Sequence, residues 1–114
     1  MKYIYGDYNR LHQVFVNVIK NAVEAMEEAD EKIITIKDMV LKNKIIIKIK
    51  DTGEGIDKEI LKKIGEPFYT SKKNGTGLGV PLSIEIINAH GGSLNFLSED
   101  VKGTTVQITL PIDL

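Results

Sequence analysis

The chain predicts an α+β fold, a two-layer sandwich in which a mixed sheet of about five strands is covered on one face by about three helices. Three observations carry this. A long stretch near the N-terminus repeats apolar residues at helical spacing, β-branched runs come in hairpin pairs, and a second helical stretch is apolar on two sides. Helices that must all bury a stripe, beside strands connected as hairpins, belong on one face of a sheet.

Taken in order, Lys2-Tyr3-Ile4-Tyr5 is strand-like and opens abruptly, as expected of a piece of a longer chain. Asp7 follows Gly6 and is placed to cap a helix over 8–28, where Leu11, Val14, Phe15, Val18, Ile19, Ala22, Val23 and Met26 recur with the helical period. Asn17, Asn21 and Glu24 share another face of that helix. Asparagine is a mediocre helix former, so this stripe is either solvated surface or a set of oxygens turned toward a hard cation, with Asn21 at its centre. After a polar connection, 33–37 and 44–50 read as strands joined near Lys42-Asn43. A short helix over 57–64, capped by Asp57 and closed at Gly65, leads to Glu66-Pro67-Phe68-Tyr69. The polar run Thr70 to Asn74 has no apolar anchor and has the makings of a mobile lid. Pro81 and Gly91-Gly92 bracket the next helix, which carries Val80, Ile84 and Ile87 on one stripe and Leu82, Ile86 and Ala89 on another. Strands over 93–98 and 104–110, turning near Lys102-Gly103, close the chain.

A chain of 114 residues supports one domain with a core. Its net charge of −1 does not suggest a nucleic-acid partner or direct membrane contact. The absence of cysteine excludes disulfides and thiolate metal sites, and two distant histidines make a histidine metal cluster a poor reading. No apolar run approaches the ~20 residues that span a bilayer, and no signal peptide opens the chain. A cytoplasmic domain is expected.

Six of the ten glycines fall between Gly53 and Gly79. Glycines so concentrated let backbone turn tightly or approach a ligand. Neither the P-loop pattern nor the dinucleotide fingerprint is present. Asp51 instead ends an apolar strand and is followed at once by Thr52-Gly53-Glu54-Gly55-Ile56. An acceptor-only carboxylate there suits the exocyclic amine of adenine, though the same residues also make an ordinary turn. The glycines 75–79 lead into a helix N-terminus, where free N–H groups attract phosphate.

Together these stretches resemble the ATP-binding catalytic domain of a sensor histidine kinase, within the gyrase, chaperone and mismatch-repair ATPase superfamily. Asn17-Val18-Ile19-Lys20-Asn21-Ala22 is similar to the family's asparagine box, and Asp51-Thr52-Gly53-Glu54-Gly55 to its first glycine box. Glu66-Pro67-Phe68 is similar to the phenylalanine box, and Gly75-Thr76-Gly77-Leu78-Gly79 to the second glycine box. His90-Gly91-Gly92 and Gly103-Thr104-Thr105 match the closing segments. The resemblance implies ATP and Mg²⁺ as ligands. By it Asp51 accepts from the adenine amine, Asn21 ligates Mg²⁺, and Gly53, Gly55 and Ile56 border the base. Gly75, Thr76, Gly77, Leu78 and Gly79 wrap the triphosphate beneath a lid of residues 69 to 76. Lys72 in that lid reaches toward the γ-phosphate, Phe68 packs at the lid's base, and Thr105 lies toward the base side of the pocket.

Two departures shape the expected activity. Where the superfamily's self-sufficient ATPases carry a general-base glutamate, one helical turn before the metal asparagine, this chain has Asn17, which cannot accept a proton at neutral pH. Transfer to another nucleophile is favoured over hydrolysis. The wording Asn21-Ala22-Val23-Glu24-Ala25-Met26 resembles sporulation and nitrogen-regulation sensor kinases. The family's acceptor histidine stands on a dimerisation domain outside this chain. His12 lies inside the long helix, and His90 is placed to cap a helix end. The expected partners are ATP and ADP, the dimerisation domain of the same kinase, and a downstream response regulator, with the domain monomeric and its parent homodimeric. A regulatory nucleotide switch or a serine-phosphorylating anti-sigma relative, and a gyrase-type ATPase, are the alternatives.

Overall fold

A computed structural model describes residues 4–53, 79–98 and 103–112. Helix α1 (Tyr8–Ala25) leads to strands β1 (Ile34–Leu41) and β2 (Lys44–Asp51). Helix α2 (Gly79–Ala89) and strands β3 (Ser93–Ser98) and β4 (Thr104–Pro111) follow. The fold is α+β. Among the described residues the sheet has four strands in the order β1-β2-β4-β3, and every pairing is antiparallel. The described strands are antiparallel because β1–β2 and β3–β4 are hairpins and the two hairpins meet through β2 and β4, while the strand expected at residues 2–5 falls mostly outside the described residues. The expected short helix over 57–64 and the lid lie outside the described residues.

Asp7 caps α1 as expected, its Oδ1 accepting from Asn9 N at 3.0 Å and Arg10 N at 3.2 Å. The helix ends at Ala25, earlier than the apolar period suggested. Its last turn tightens through Met26 N to Val23 O at 3.1 Å and Glu27 N to Glu24 O at 3.3 Å. The buried stripe is narrow: Val14, Val18, Ala22 and Met26 are inside, whereas Ile19 and Val23 are exposed. One sheet face covers only one side of a helix, so the flanking apolar residues stay in water. In α2, likewise, Ile86 and Ile87 are buried while Leu82 and Ala89 are exposed, so the second apolar stripe is only partly covered. Helix α2 closes as expected at Gly91-Gly92. Gly91 takes φ +79°, and Gly92 N donates to Ile87 O at 3.0 Å, a Schellman ending.

The core joins Val14 and Val18 of α1 and Ile86 and Ile87 of α2 to Ile49, Leu94, Val106, Ile108 and Leu110 of the sheet. Each large apolar side chain fully buried there contributes about 1.5–3 kcal/mol. Strand alternation then assigns every residue a face. Ile45, Ile47, Ile49 and Asp51 of β2 lie opposite Leu110, Ile108, Val106 and Ile34 in register, on the helix side. The same parity places Thr104 inward with Asp51. Register fixes where the polar residues go.

Candidate functional site

The end of β2 is where α1, β4 and the connection from α1 to β1 converge. Asp51 is only 4 % exposed, and its Oδ1 accepts from Gly53 N at 2.8 Å and Thr104 N at 3.3 Å. Thr52 fastens the neighbouring connection: its hydroxyl donates to Glu31 O at 2.6 Å and accepts from Ile33 N at 3.0 Å. It also rests on Met26, with Oγ1 3.3 Å from Sδ. A Cβ on Gly53 would stand 2.5 Å from Ala25 O, so the absence of a side chain lets this turn lie against the last carbonyls of α1. Gly103, at φ +96°, backs onto the carbonyl of Asp51 itself. Thus Asp51-Thr52-Gly53 is a turn and also an anchor that holds one carboxylate in a fixed place.

Two turns earlier along α1, Asn17 meets α2. Its Nδ2 lies 3.5 Å from the Oγ of Ser83, which is 2 % exposed, and its Oδ1 accepts from Gln13 Nε2 at 3.0 Å. Ser83 follows Gly79, the first residue of α2, by one turn. Helix α1 therefore runs from the Asp51 turn, at Ala25, to the N-terminal part of α2, at Asn17. Eight residues of helix rise about 12 Å. Asn21 is half-buried and midway between these ends.

Of the residues singled out from sequence, Asn17, Asn21, Asp51, Gly53, Gly79 and Thr105 are described. Gly55, Ile56, Phe68, Lys72, Gly75, Thr76, Gly77 and Leu78 lie outside the described residues. Asn17 and Asn21 stand on α1, and Asp51 and Gly53 form the turn against its C-terminal end, on the helix side of the sheet. Thr105 does not join them on that face: it pairs with Lys50 and Leu97, out of phase with Asp51. Thr104 is the threonine bonded to Asp51, through its backbone N–H. The alternation of Val106, Ile108 and Leu110 places the Thr104 side chain, too, on the helix side with Asp51. Ser83 was also missed, and its signal was the one hydroxyl of α2, beside Ile86 and Ile87 on its buried side.

The histidines are accounted for. His12 stacks on Tyr8, with ring centroids 5.9 Å apart and 7° between planes. His90 Nδ1 lies 2.7 Å from Ile86 O, and its Nε2 accepts from Asp7 N at 3.0 Å, so Nδ1 carries the proton that caps the helix carbonyl. Among the described residues no group of three or more His, Cys, Asp or Glu could hold a metal ion.

A buried acceptor at the end of one strand, a helix carrying two carboxamides and a glycine-led second helix stand together on one face of an antiparallel sheet. The chain belongs to the histidine kinase-, DNA gyrase B- and HSP90-like ATPase family, whose model matches residues 6–114. Among its relatives, sporulation kinase C of Bacillus subtilis is 44 % identical over 109 residues, covering 96 % of this chain and 25 % of the relative. Sporulation kinase E of the same organism is 45 % identical over 109 residues, covering 96 % of this chain and 15 % of the relative. The chain thus spans a quarter or less of the length of these two kinases. The nucleotide-free catalytic domain of the histidine kinase ThkA superposes with a TM-score of 0.82 at 31 % identity, over 95 % of this chain and 70 % of that one. The mycobacterial sensor histidine kinase MprB superposes with a TM-score of 0.83 at 25 % identity, over 95 % and 74 %. The expected fold and family are both found.

Proposed function

We propose that this chain binds ATP with Mg²⁺ and presents the γ-phosphate to a histidine on a separate dimerisation domain, in two-component signal transduction. The observation that carries this reading is the Asp51 carboxylate. It is nearly buried, both of its described hydrogen bonds fall on Oδ1, and Oδ2 is left to accept from the amine of adenine. Thr104 borders the base on the same face, a place the sequence reading gave to Thr105. The nucleotide then lies along α1, with its phosphates toward Asn17, Gly79 and the second glycine box.

Asn21, between the two ends, offers a hard carboxamide oxygen to Mg²⁺. No acidic cage gathers among the described residues, which suits an ion that takes most of its ligands from phosphates and water. When bound, that ion neutralises charge on the phosphates. The chain's own residues bind and orient: Asp51 and Thr104 set the base, Asn17 and Ser83 tie α1 to α2, and Lys72 with Phe68 belongs to the lid. In the transfer the Pγ–O bond to the β-phosphate breaks, ADP leaves with the electron pair, and an imidazole nitrogen takes the phosphoryl group.

Hydrolysis is disfavoured, because both ends of the Asn17 carboxamide are engaged by Gln13 and Ser83 and, among the described residues, no carboxylate is bonded there to take a proton from water. Neither histidine of the chain offers an acceptor placed for transfer, His90 being bonded at both ring nitrogens. Incubation with labelled ATP and a separately prepared dimerisation domain tests the reading. Acid-labile phosphohistidine on the added domain is expected. Phosphoserine would favour the anti-sigma type, and steady ATP turnover by the chain alone would favour the gyrase type.

A further inference from the structure

The face of the sheet turned away from the helices carries charge of one sign. Strand register arranges it in cross-strand rows. Lys37 stands directly opposite Lys48, which is opposite Gln107, which is opposite Asn95. In the adjoining row Thr35, Lys50, Thr105 and Leu97 are aligned, and farther along the sheet Leu41 is opposite Lys44. All four lysines are exposed, and no described residue of this face is acidic, in a chain whose net charge is −1. The ion pair of Arg10 with Asp7 lies on α1 and its cap, away from this face. Opposed lysines about 5 Å apart at Cβ destabilise a strand pair, so the fold tolerates a repulsion that an anionic partner would relieve.

The composition of the face says which partner. Protein interfaces favour arginine, which grips carboxylates through a planar fork, and are depleted in lysine. This face has lysine alone; Arg10, on α1, is the chain's only arginine. Beside the lysines, Met39 and Leu41 are 52 % and 53 % exposed, on the same face by alternation. Compact, hydrated ammonium groups on flexible stems, flanked by exposed apolar side chains on a broad sheet, suit a fluid anionic surface better than a fixed set of carboxylates.

We propose that the open sheet face, through Lys37, Lys44, Lys48 and Lys50, docks peripherally on an anionic lipid bilayer, with Met39 and Leu41 at the acyl boundary. The overall charge hides this face because the acidic residues lie elsewhere, several of them in Glu24 to Glu31. The docking does not depend on the nucleotide site.

Sedimentation of the chain with vesicles of phosphatidylcholine, with and without phosphatidylserine, tests it. Binding is expected only to the vesicles with phosphatidylserine, and it should weaken steeply with salt. Near an anionic leaflet each lysine is worth roughly fivefold in partition, so K37Q or K48Q alone should lose about that much and the fourfold Lys→Gln variant several hundredfold. The control K20Q, on α1, should bind like the unaltered chain. Failure to bind phosphatidylserine vesicles at low salt would overturn the proposal, as would undiminished binding by the fourfold variant. Binding to soluble polyglutamate without binding to vesicles would also overturn it, and would assign the face to an acidic protein.

Discussion

Replacing Asp51 separates what this residue does for the fold from what it does for a ligand. In Asp51→Ala, Gly53 N–H and Thr104 N–H both lose their described acceptor at a position only 4 % exposed. An unpaired buried donor costs about 1–3 kcal/mol. The Thr104 contact is long at 3.3 Å, so the lower part of that range applies to it, and the total loss should be about 3 kcal/mol. Asp51→Asn keeps a carbonyl oxygen where Oδ1 stands, so both donors remain satisfied and the loss should be about 1 kcal/mol. Its amide nitrogen, however, replaces Oδ2 and would point a donor at the adenine amine. ATP affinity should then fall about a hundredfold or more, from the lost bond and the donors brought face to face. Urea unfolding and titration calorimetry with ATP measure the two effects. Normal ATP binding by Asp51→Asn would refute the adenine assignment. Equal destabilisation by Asn and Ala would refute the partition between the two oxygens.

Gly53→Ala should destabilise by about 2 kcal/mol in urea unfolding, because the methyl would meet the backbone carbonyl of Ala25, at 2.5 Å in the present geometry. Lys42 turns the β1–β2 hairpin at φ 57°, where a side chain costs about 1–2 kcal/mol. Allowing for the greater freedom of glycine in the unfolded chain, Lys42→Gly should raise stability by about 0.5–1 kcal/mol, read as a higher denaturant midpoint. Asn21→Asp should leave nucleotide binding measurable while impairing phosphotransfer to an added dimerisation domain; unchanged transfer would remove Asn21 from the metal site.

Much of the fold was legible because local signals agreed with the tertiary outcome. Asp7 capped the helix it preceded, Gly91-Gly92 ended α2, and the β-branched runs paired as hairpins around Lys42-Asn43 and near Gly103. Two errors have one cause. Apolar periodicity marks a helix without saying how wide a stripe its neighbours cover, so Ile19, Val23 and Leu82 were counted inward and are exposed. β1 was also read too short: Asp38 interrupts the apolar run but lies within the ladder, opposite Ile47. A strand is extended by its partner's hydrogen bonds as well as by its own composition.

By itself the sequence determined the α+β class, the family to which its boxes point, and the place of Asp51 at the end of a strand before a glycine turn. Those follow from short-range chemistry: strand ends, helix caps, glycines and the order in which they come. Only the tertiary structure decided that the Thr104 N–H bonds Asp51, that Ser83 meets Asn17 across two helices, and that four lysines share one sheet face. These depend on register and on helix packing. A shift of one residue along a strand exchanges its faces, and composition averaged over the chain does not record it.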